Sequence, residues 1–338
     1  MRYFICIFAV LIGLFTYCIR IETEEEMIQS NLIIDTDVGT DDLMAMAYLL
    51  GRSDVEIEAI TVANGLAHVE YGAKNVLKML SLAEKDIPVY MGNPVPLMGD
   101  REFPKEWRRS SDLMPGIQTE KIIYDVQKNN AVDYLMNRLR ANNKPVRILA
   151  LGPLTNLAIV YQSAPECFDL IEEIVLMGGA FNVPGNVFNV GEFTSPSDYV
   201  EWNLFVDPLA TKIVCESGVK LLFVPLDATN KAFIDTDFLN KFNNINHNIL
   251  GRFVSDILNS ARFLIEEGDY YAWDPLAAAT LADPSIVTIA EYPVKIETDY
   301  PHAGQTTIVD DGQYRARIAL DTDRQKFIEN FIQTFVQK

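Results

Sequence analysis

From Asn31 onward the chain alternates short apolar runs with amphipathic stretches, and that alternation limits the folds open to it. NLIID, VEIEAITVA, VRILALG, EEIVLMGG and VKLLFVPLDA read as buried strands, while DDLMAMAYLLG, AKNVLKMLSLA, AVDYLMNRLRAN and LTNLAIVYQSA place apolar residues at helical spacing. Strand then helix, repeated, makes βαβ units, because a parallel neighbour can be reached only through a crossover. The expected fold is α/β: one domain over residues 31–338, with a mainly parallel central sheet flanked by helices. No linker or low-complexity segment breaks the pattern. At the end of the chain Phe327, Phe331 and Phe335 fall at four-residue steps, which predicts an amphipathic helix packed on the body.

Residues 1–30 read differently. Arg2 precedes an apolar run from Tyr3 to Ile19, and the acidic IETEEEM follows. This is the shape of a signal peptide or a signal anchor, so a secreted or periplasmic protein is the first expectation and a membrane anchor through this segment the second. No small-residue cleavage site is visible, and Cys18 follows Tyr17 where a lipoprotein signal would carry a small residue. Removal of Cys6 and Cys18 would leave Cys167 and Cys215, neither in a CxxC pattern, as core residues. With 28 basic against 47 acidic side chains the formal charge is −19, which repels a phosphate backbone and argues against nucleic acid as a partner.

In sheets of this kind ligands sit outside the carboxyl ends of the strands. The first strand ends in IIDTDVGTDDLMA, where Asp35, Asp37, Asp41 and Asp42 fall within eight residues. Helix capping explains one or two of them. The chain supplies its own controls, since DTD recurs at Asp235–Asp237 and Asp321–Asp323 without a following acidic pair, and those two read as caps. Four carboxylates on one turn repel one another unless a cation sits among them. A hard divalent ion with oxygen ligands fits, and Ca²⁺ tolerates irregular loop geometry better than Mg²⁺. An EF-hand is excluded, because counting from Asp35 puts Thr40 at the sixth position and Met46 at the twelfth. A phosphatase with an aspartyl nucleophile is disfavoured, because Gly39 stands where its threonine belongs.

DTDVGTDD resembles the N-terminal fingerprint of the nucleoside hydrolases, with Val38 where many members carry Pro, an exchange expected to be harmless. ITVANG, LALGPLTNLA, IVLMGGAF, GNVF, EWNLFVDP, LDATN and WDPLAAA follow in that family's order, so the resemblance covers nearly everything from Leu32 onward. It implies a Rossmann-like core and Ca²⁺-dependent cleavage of the N-glycosidic bond of ribonucleosides by an ion-activated water. It implies Asp37, Asp42, the backbone carbonyl of Leu151 and Asp274 as calcium ligands, with Asp37 also accepting the water's proton. It implies Asp41, Asn64, Asn186, Glu201 and Asn203 as holders of the ribose hydroxyls. Asp35 reads as a loop brace, and Met177, before Gly178 and Gly179, as either core or ribose floor. A homo-oligomer, dimer or tetramer, is expected. Asn156 and Asn230 are as well explained by turns and caps.

Protonation of the departing base has no evident acid. Where many members place His before the last calcium aspartate this chain has Trp273, and His68, His247 and His302 lie in no matching motif. Trp273, together with FPKEWRR around Trp107, resembles the inosine-adenosine-guanosine-preferring branch, in which two indoles sandwich a purine. Stacking on both faces favours positive charge on the ring, so N7 could be protonated by solvent. Tyr270 would add an aromatic wall. Gly65 departs from the branch, which carries an acidic residue there. The other expectations are a nucleoside-binding relative with little turnover and, last, phosphatase chemistry.

Overall fold

The computed structural model describes residues 31–99, 101–119, 121–141, 144–190, 193–312 and 314–337. The signal peptide or anchor expected at residues 1–30, with Cys6 and Cys18, lies outside the described residues. Among the described residues no helix is long and apolar enough to cross a membrane.

Strand and helix alternate from the start. β1 (Asn31–Thr36) leads to α1 (Thr40–Leu50), β2 (Ile57–Val62) to α2 (Val69–Leu82), and β3 (Val89–Met91) to α3 (Lys105–Leu113) and α4 (Ala131–Ala141). β4 (Val146–Ala150) precedes α5 (Thr155–Ser163), and β5 (Ile171–Met177) precedes α6 (Trp202–Val206) and α7 (Pro208–Glu216). After β6 (Leu221–Val224) come α8 (Leu226–Thr229), α9 (Thr236–Asn243), α10 (Ile249–Ser260), α11 (Arg262–Glu267) and α12 (Trp273–Ala282). β7 (Val287–Ile296), β8 (Thr306–Ile308), β9 (Tyr314–Thr322) and α13 (Arg324–Thr334) complete the chain.

The strands form one sheet in the order β3-β2-β1-β4-β5-β6-β9-β7-β8. Pairing is parallel from β3 through to β9, and β7 joins β9 and β8 antiparallel. The sheet is therefore mainly parallel and flanked by helices, as the alternation predicts. Both faces are covered: Leu32 and Ile34 of β1 join the core that includes α1 and α13, while Ile33 joins the core that includes α5 and α7. Phe327, Phe331 and Phe335 are all buried, with Phe331 stacked on Tyr48 of α1 at 5.6 Å. Cys167 and Cys215 are buried free thiols.

This topology fixes where a ligand can bind. The chain adds β2 and β3 on one side of β1, then returns to place β4 on the other. Strand order thus reverses beside β1, and the crevice outside the carboxyl ends of β1 and β4 opens at that point.

Candidate active site

β1 ends in Asp35 and Asp37, and both are buried. Asp35 accepts hydrogen bonds from Thr61 Oγ1 at 2.6 Å and Asn156 Nδ2 at 2.9 Å, and burial pushes its pKa up to about 6. It braces β1 against β2 and α5. Asn156 also accepts from the Asn93 amide at 3.0 Å, so it is a structural brace. Asp235 and Asp323, of the two control DTD runs, accept from Phe238 N and Lys326 N as helix caps.

The turn between β1 and α1 is tight. Val38 has φ 58°, a left-handed value that is an outlier for a β-branched residue. Proline cannot reach that angle, so Val38→Pro would require this turn to rearrange. Gly39 follows because a Cβ there would lie 2.6 Å from Asp41 Oδ1. Asp42 closes the turn, accepting from Gly39 N at 2.8 Å, Val38 N at 3.2 Å and the Thr36 hydroxyl. It thereby satisfies amides at the positive end of the α1 dipole.

Asp274, in the first turn of α12, meets this turn from the other side of the crevice. Asp41, Asp42 and Asp274 are the carboxylates, among the described residues, whose oxygens all lie within 4.8 Å of one another. Burial, then the charges of Asp42 and Asp41, push Asp274 well above the carboxylate range. Asp41 keeps some solvent contact, yet burial and Asp42 push it to about 7. Asp274 Oδ1 is buried without any partner. Three converging carboxylates and an orphaned buried oxygen are what a divalent cation would satisfy, so these residues fit a metal ion.

The other expected ligands sit close by but differently. Asp37 is outside that group of three; its Oδ2 accepts from Leu66 N at 2.7 Å. Burial, then the charge of Asp42, raise its pKa, with Asp41 and Glu201 adding to the effect. A Cβ at Gly65 would fall 2.0 Å from Asp37 Oδ2, and one at Gly152 would fall 2.7 Å from Asp37 Cβ. Gly65 is therefore required by the Asp37 carboxylate, and an acidic residue has no room there. The Leu151 carbonyl accepts from Asn203 Nδ2 at 3.1 Å. That amide also reaches Met177 O at 3.2 Å, which makes buried Met177 part of the floor beneath Asn203.

Glu201 caps α6, its carboxylate accepting from the amides of Asn203, Leu204 and Gly179, and burial pushes it to about 7. Asn186 holds the same segment through a bond from Trp202 N at 3.1 Å. Asn64 is buried at the end of β2 and accepts from Arg108 Nη2 at 2.8 Å.

The aromatic groups fall into two sets. Half-buried Trp107 on α3 makes edge contacts with Phe188 at 5.7 Å and Trp202 at 5.4 Å. Half-buried Trp273 contacts Tyr270 at 5.9 Å and Tyr271 at 5.6 Å. The buried Tyr270 hydroxyl has no partner, and burial followed by the charge of Asp41 raises its pKa. Each tryptophan is tied to the crevice through its neighbour, Arg108 bonding Asn64 and Asp274 joining the carboxylates. Of the histidines, His68 pairs with Asp112 at 2.8 Å, the His247 ring meets Phe242 O at 2.9 Å, and His302 is exposed. Sequence reasoning missed Arg108 and Trp202. Arg108 sits in a run of charges that reads as surface, yet it is 5% exposed. Trp202 lies between Glu201 and Asn203 and has a buried, unpartnered Nε1.

An α/β sheet with metal-competent carboxylates at its strand-order reversal, and buried polar groups and tryptophans tied to the same turns, is a site suited to metal-assisted chemistry on a small ligand. The chain belongs to the inosine-uridine preferring nucleoside hydrolases, whose family model matches residues 32–329. It is 32% identical over 312 residues to the pyrimidine-specific ribonucleoside hydrolase RihA of Salmonella agona, covering 88% of this chain and 96% of that protein. A plant nucleoside hydrolase, PpNRh1, shares the fold at a TM-score of 0.81 and 24% identity, over 92% of this chain and 100% of that one. The purine-preferring ribonucleoside hydrolase of Gardnerella vaginalis matches at a TM-score of 0.76 and 25% identity, over 90% and 98% of the two chains. The chain is thus a ribonucleoside hydrolase, cleaving the bond between base and ribose.

Proposed function

We propose that the protein hydrolyses purine ribonucleosides with Ca²⁺ as its cofactor, and that residues 1–30 export or anchor it. The observation that carries the metal is the buried, unpartnered Asp274 Oδ1 beside Asp41 and Asp42. Asp42 and Asp274 would hold the ion, with Asp37 and the Leu151 carbonyl completing the set that the family fingerprint implies and Asp41 near enough to contribute. When bound, the ion supplies positive charge that relieves the crowded carboxylates and makes a water acidic enough to attack at neutral pH.

The chain's own groups do the rest. Asp37, a carboxylate whose basicity is raised by burial, takes up the proton of the attacking water. Asn64, Asn186, Glu201, Asn203 and Asp41 hold the ribose hydroxyls, and bonds that tighten as positive charge grows on the sugar favour an oxocarbenium-like transition state. Trp107 and Trp273 stack on the base and stabilise it once protonated, with Tyr270 as a wall.

Purine preference rests on Trp273 directly before Asp274 and on Trp107 beside Arg108. A second reading, preference for pyrimidines, is favoured by the identity to RihA. Rates with inosine and uridine decide between them: the purine reading expects a higher kcat/KM for inosine, and preference for uridine overturns it. On the purine reading Trp273→Ala cuts inosine turnover steeply but spares p-nitrophenyl riboside, whose aglycone leaves as a stable anion. Equal losses on both substrates would contradict a role for the indole in leaving-group activation.

A further inference from the structure

We propose that Arg108 is a positioning residue that fixes the hydrogen-bonding polarity of Asn64, so that the site presents a donor to the ribose. The proposal rests on the reading that this crevice holds a ribonucleoside.

Arg108 is poorly explained as a stabilising group. It is 5% exposed, and its guanidinium makes two bonds: Nη2 to Asn64 Oδ1 at 2.8 Å and Nη1 to Glu102 Oε2 at 2.6 Å. Nε is buried with no partner. The Glu102 side chain is 46% exposed, so that ion pair is screened by solvent and adds little. Burying a guanidinium with an orphaned N–H costs free energy that an apolar side chain of similar length would not. Nor is Arg108 needed to attach α3. Asn75 Nδ2 donates to Ser111 O at 2.8 Å and Asp112 O at 3.2 Å, and Asp112 accepts from His68 N at 2.9 Å.

Its effect on Asn64 is specific. An asparagine amide offers a carbonyl or an NH₂ depending on a half-turn, whereas a guanidinium only donates. Arg108 therefore holds Oδ1 and leaves Nδ2 as the group Asn64 can offer a ligand. The surrounding crevice is rich in acceptors, with Asp37, Asp41, Asp42, Glu201 and Asp274, and Asn64 Nδ2 sets a donor among them. The Asn203 amide is already engaged with Leu151 O and Met177 O. A ribose hydroxyl has one proton to give and lone pairs to fill. By accepting from Asn64 Nδ2 it keeps its proton free for a carboxylate. Because Gly65 and Leu66 follow directly and pack on the Asp37 carboxylate, the same short loop sets both the sugar donor and the Asp37 position.

The test is a double-mutant cycle with Arg108→Met and Asn64→Ala in the full chain, reading kcat/KM for inosine, nucleoside affinity and Tm. Arg108→Met should lower kcat/KM about tenfold or more with Tm unchanged or raised, Arg108→Lys should recover part of the loss, and Arg108→Met should add nothing once Asn64 is Ala. Asn64→Asp provides a variant that keeps a partner for Arg108 and replaces the donor with an acceptor oxygen; it should fold and lose at least as much as Asn64→Ala. Multiplicative losses in the double variant, a loss that tracks a lowered Tm, or near-full activity in Asn64→Asp would overturn the proposal. A wild-type protein that binds nucleoside without releasing ribose would contradict the hydrolytic reading instead, and the cycle would then be read in the affinities.

Discussion

At the scale of single residues, the site is a set of close approaches around Asp37. Gly65 and Gly152 leave room for the Asp37 side chain that a Cβ at either position would take, and Leu66 N holds one oxygen at 2.7 Å. Gly65→Ala must therefore push the carboxylate aside. A displacement of about an ångström at a reacting group costs on the order of 100-fold in rate, so ribose release should fall by about that factor while the protein stays folded. Unchanged turnover would show that the Asp37 position is not critical. The sequence displays the carboxylates openly, because four of them within eight residues repel one another and so point to a cation between them. It conceals which of them converge. Asp41 lies within 4.8 Å of Asp42 and Asp274 whereas Asp37 is drawn to the Leu66 amide, a choice made by the Val38 turn and by a loop 29 residues on. Arg108 is hidden for the same reason, since a run of charges says nothing about which member a neighbouring loop will cover.

At the scale of elements, the alternating pattern marks β1, β2, β4, β5 and β6 and their helices because those strands are buried on both faces and read as continuous apolar runs. β7 and β9 escape it. Their solvent-facing positions carry Glu291, Lys295 and Arg315, and β7 contains Pro293, a residue that reads against a strand, so neither shows the apolar run of a buried strand. The C-terminal helix is legible from its phenylalanine spacing, and its position has a consequence for the site. Phe331 stacks on Tyr48 of α1, the helix whose first turn holds Asp41 and Asp42. Phe331→Ala should cost about 3–5 kcal/mol, read as a lower Tm or denaturation midpoint, because it empties a fully packed position. A cost below about 1 kcal/mol would mean that α13 does not support α1.

At the scale of the whole molecule, the crowded acids link stability to pH and to cations. Asp35 is pushed to about 6, Asp41 and Glu201 to about 7, and Asp37, Asp42 and Asp274 are raised by burial and by one another. With folded values above the unfolded ones near 4, the native state binds more protons than the unfolded state between about pH 4 and 7. Stability contributed by these groups is therefore full below about pH 4 and is lost as the pH rises through their folded values. Chelator-treated protein should show a falling Tm from pH 5 to 7.5, and added Ca²⁺ should raise Tm more at pH 7.5 than at pH 5, since the ion replaces the protons. A larger calcium effect at pH 5 would contradict this electrostatic account.

The central claim is that the carboxylates at the β1 end hold a cation on which nucleoside cleavage depends. Ribose release from inosine, measured as reducing sugar with protein beginning at Asn31, tests it most directly when run before chelation, after chelation and after Ca²⁺ is restored. The account predicts release that chelation abolishes and Ca²⁺ brings back in the wild type, with Asp274→Asn inactive at every step though folded. Release that persists through chelation, or full activity in Asp274→Asn, would contradict it.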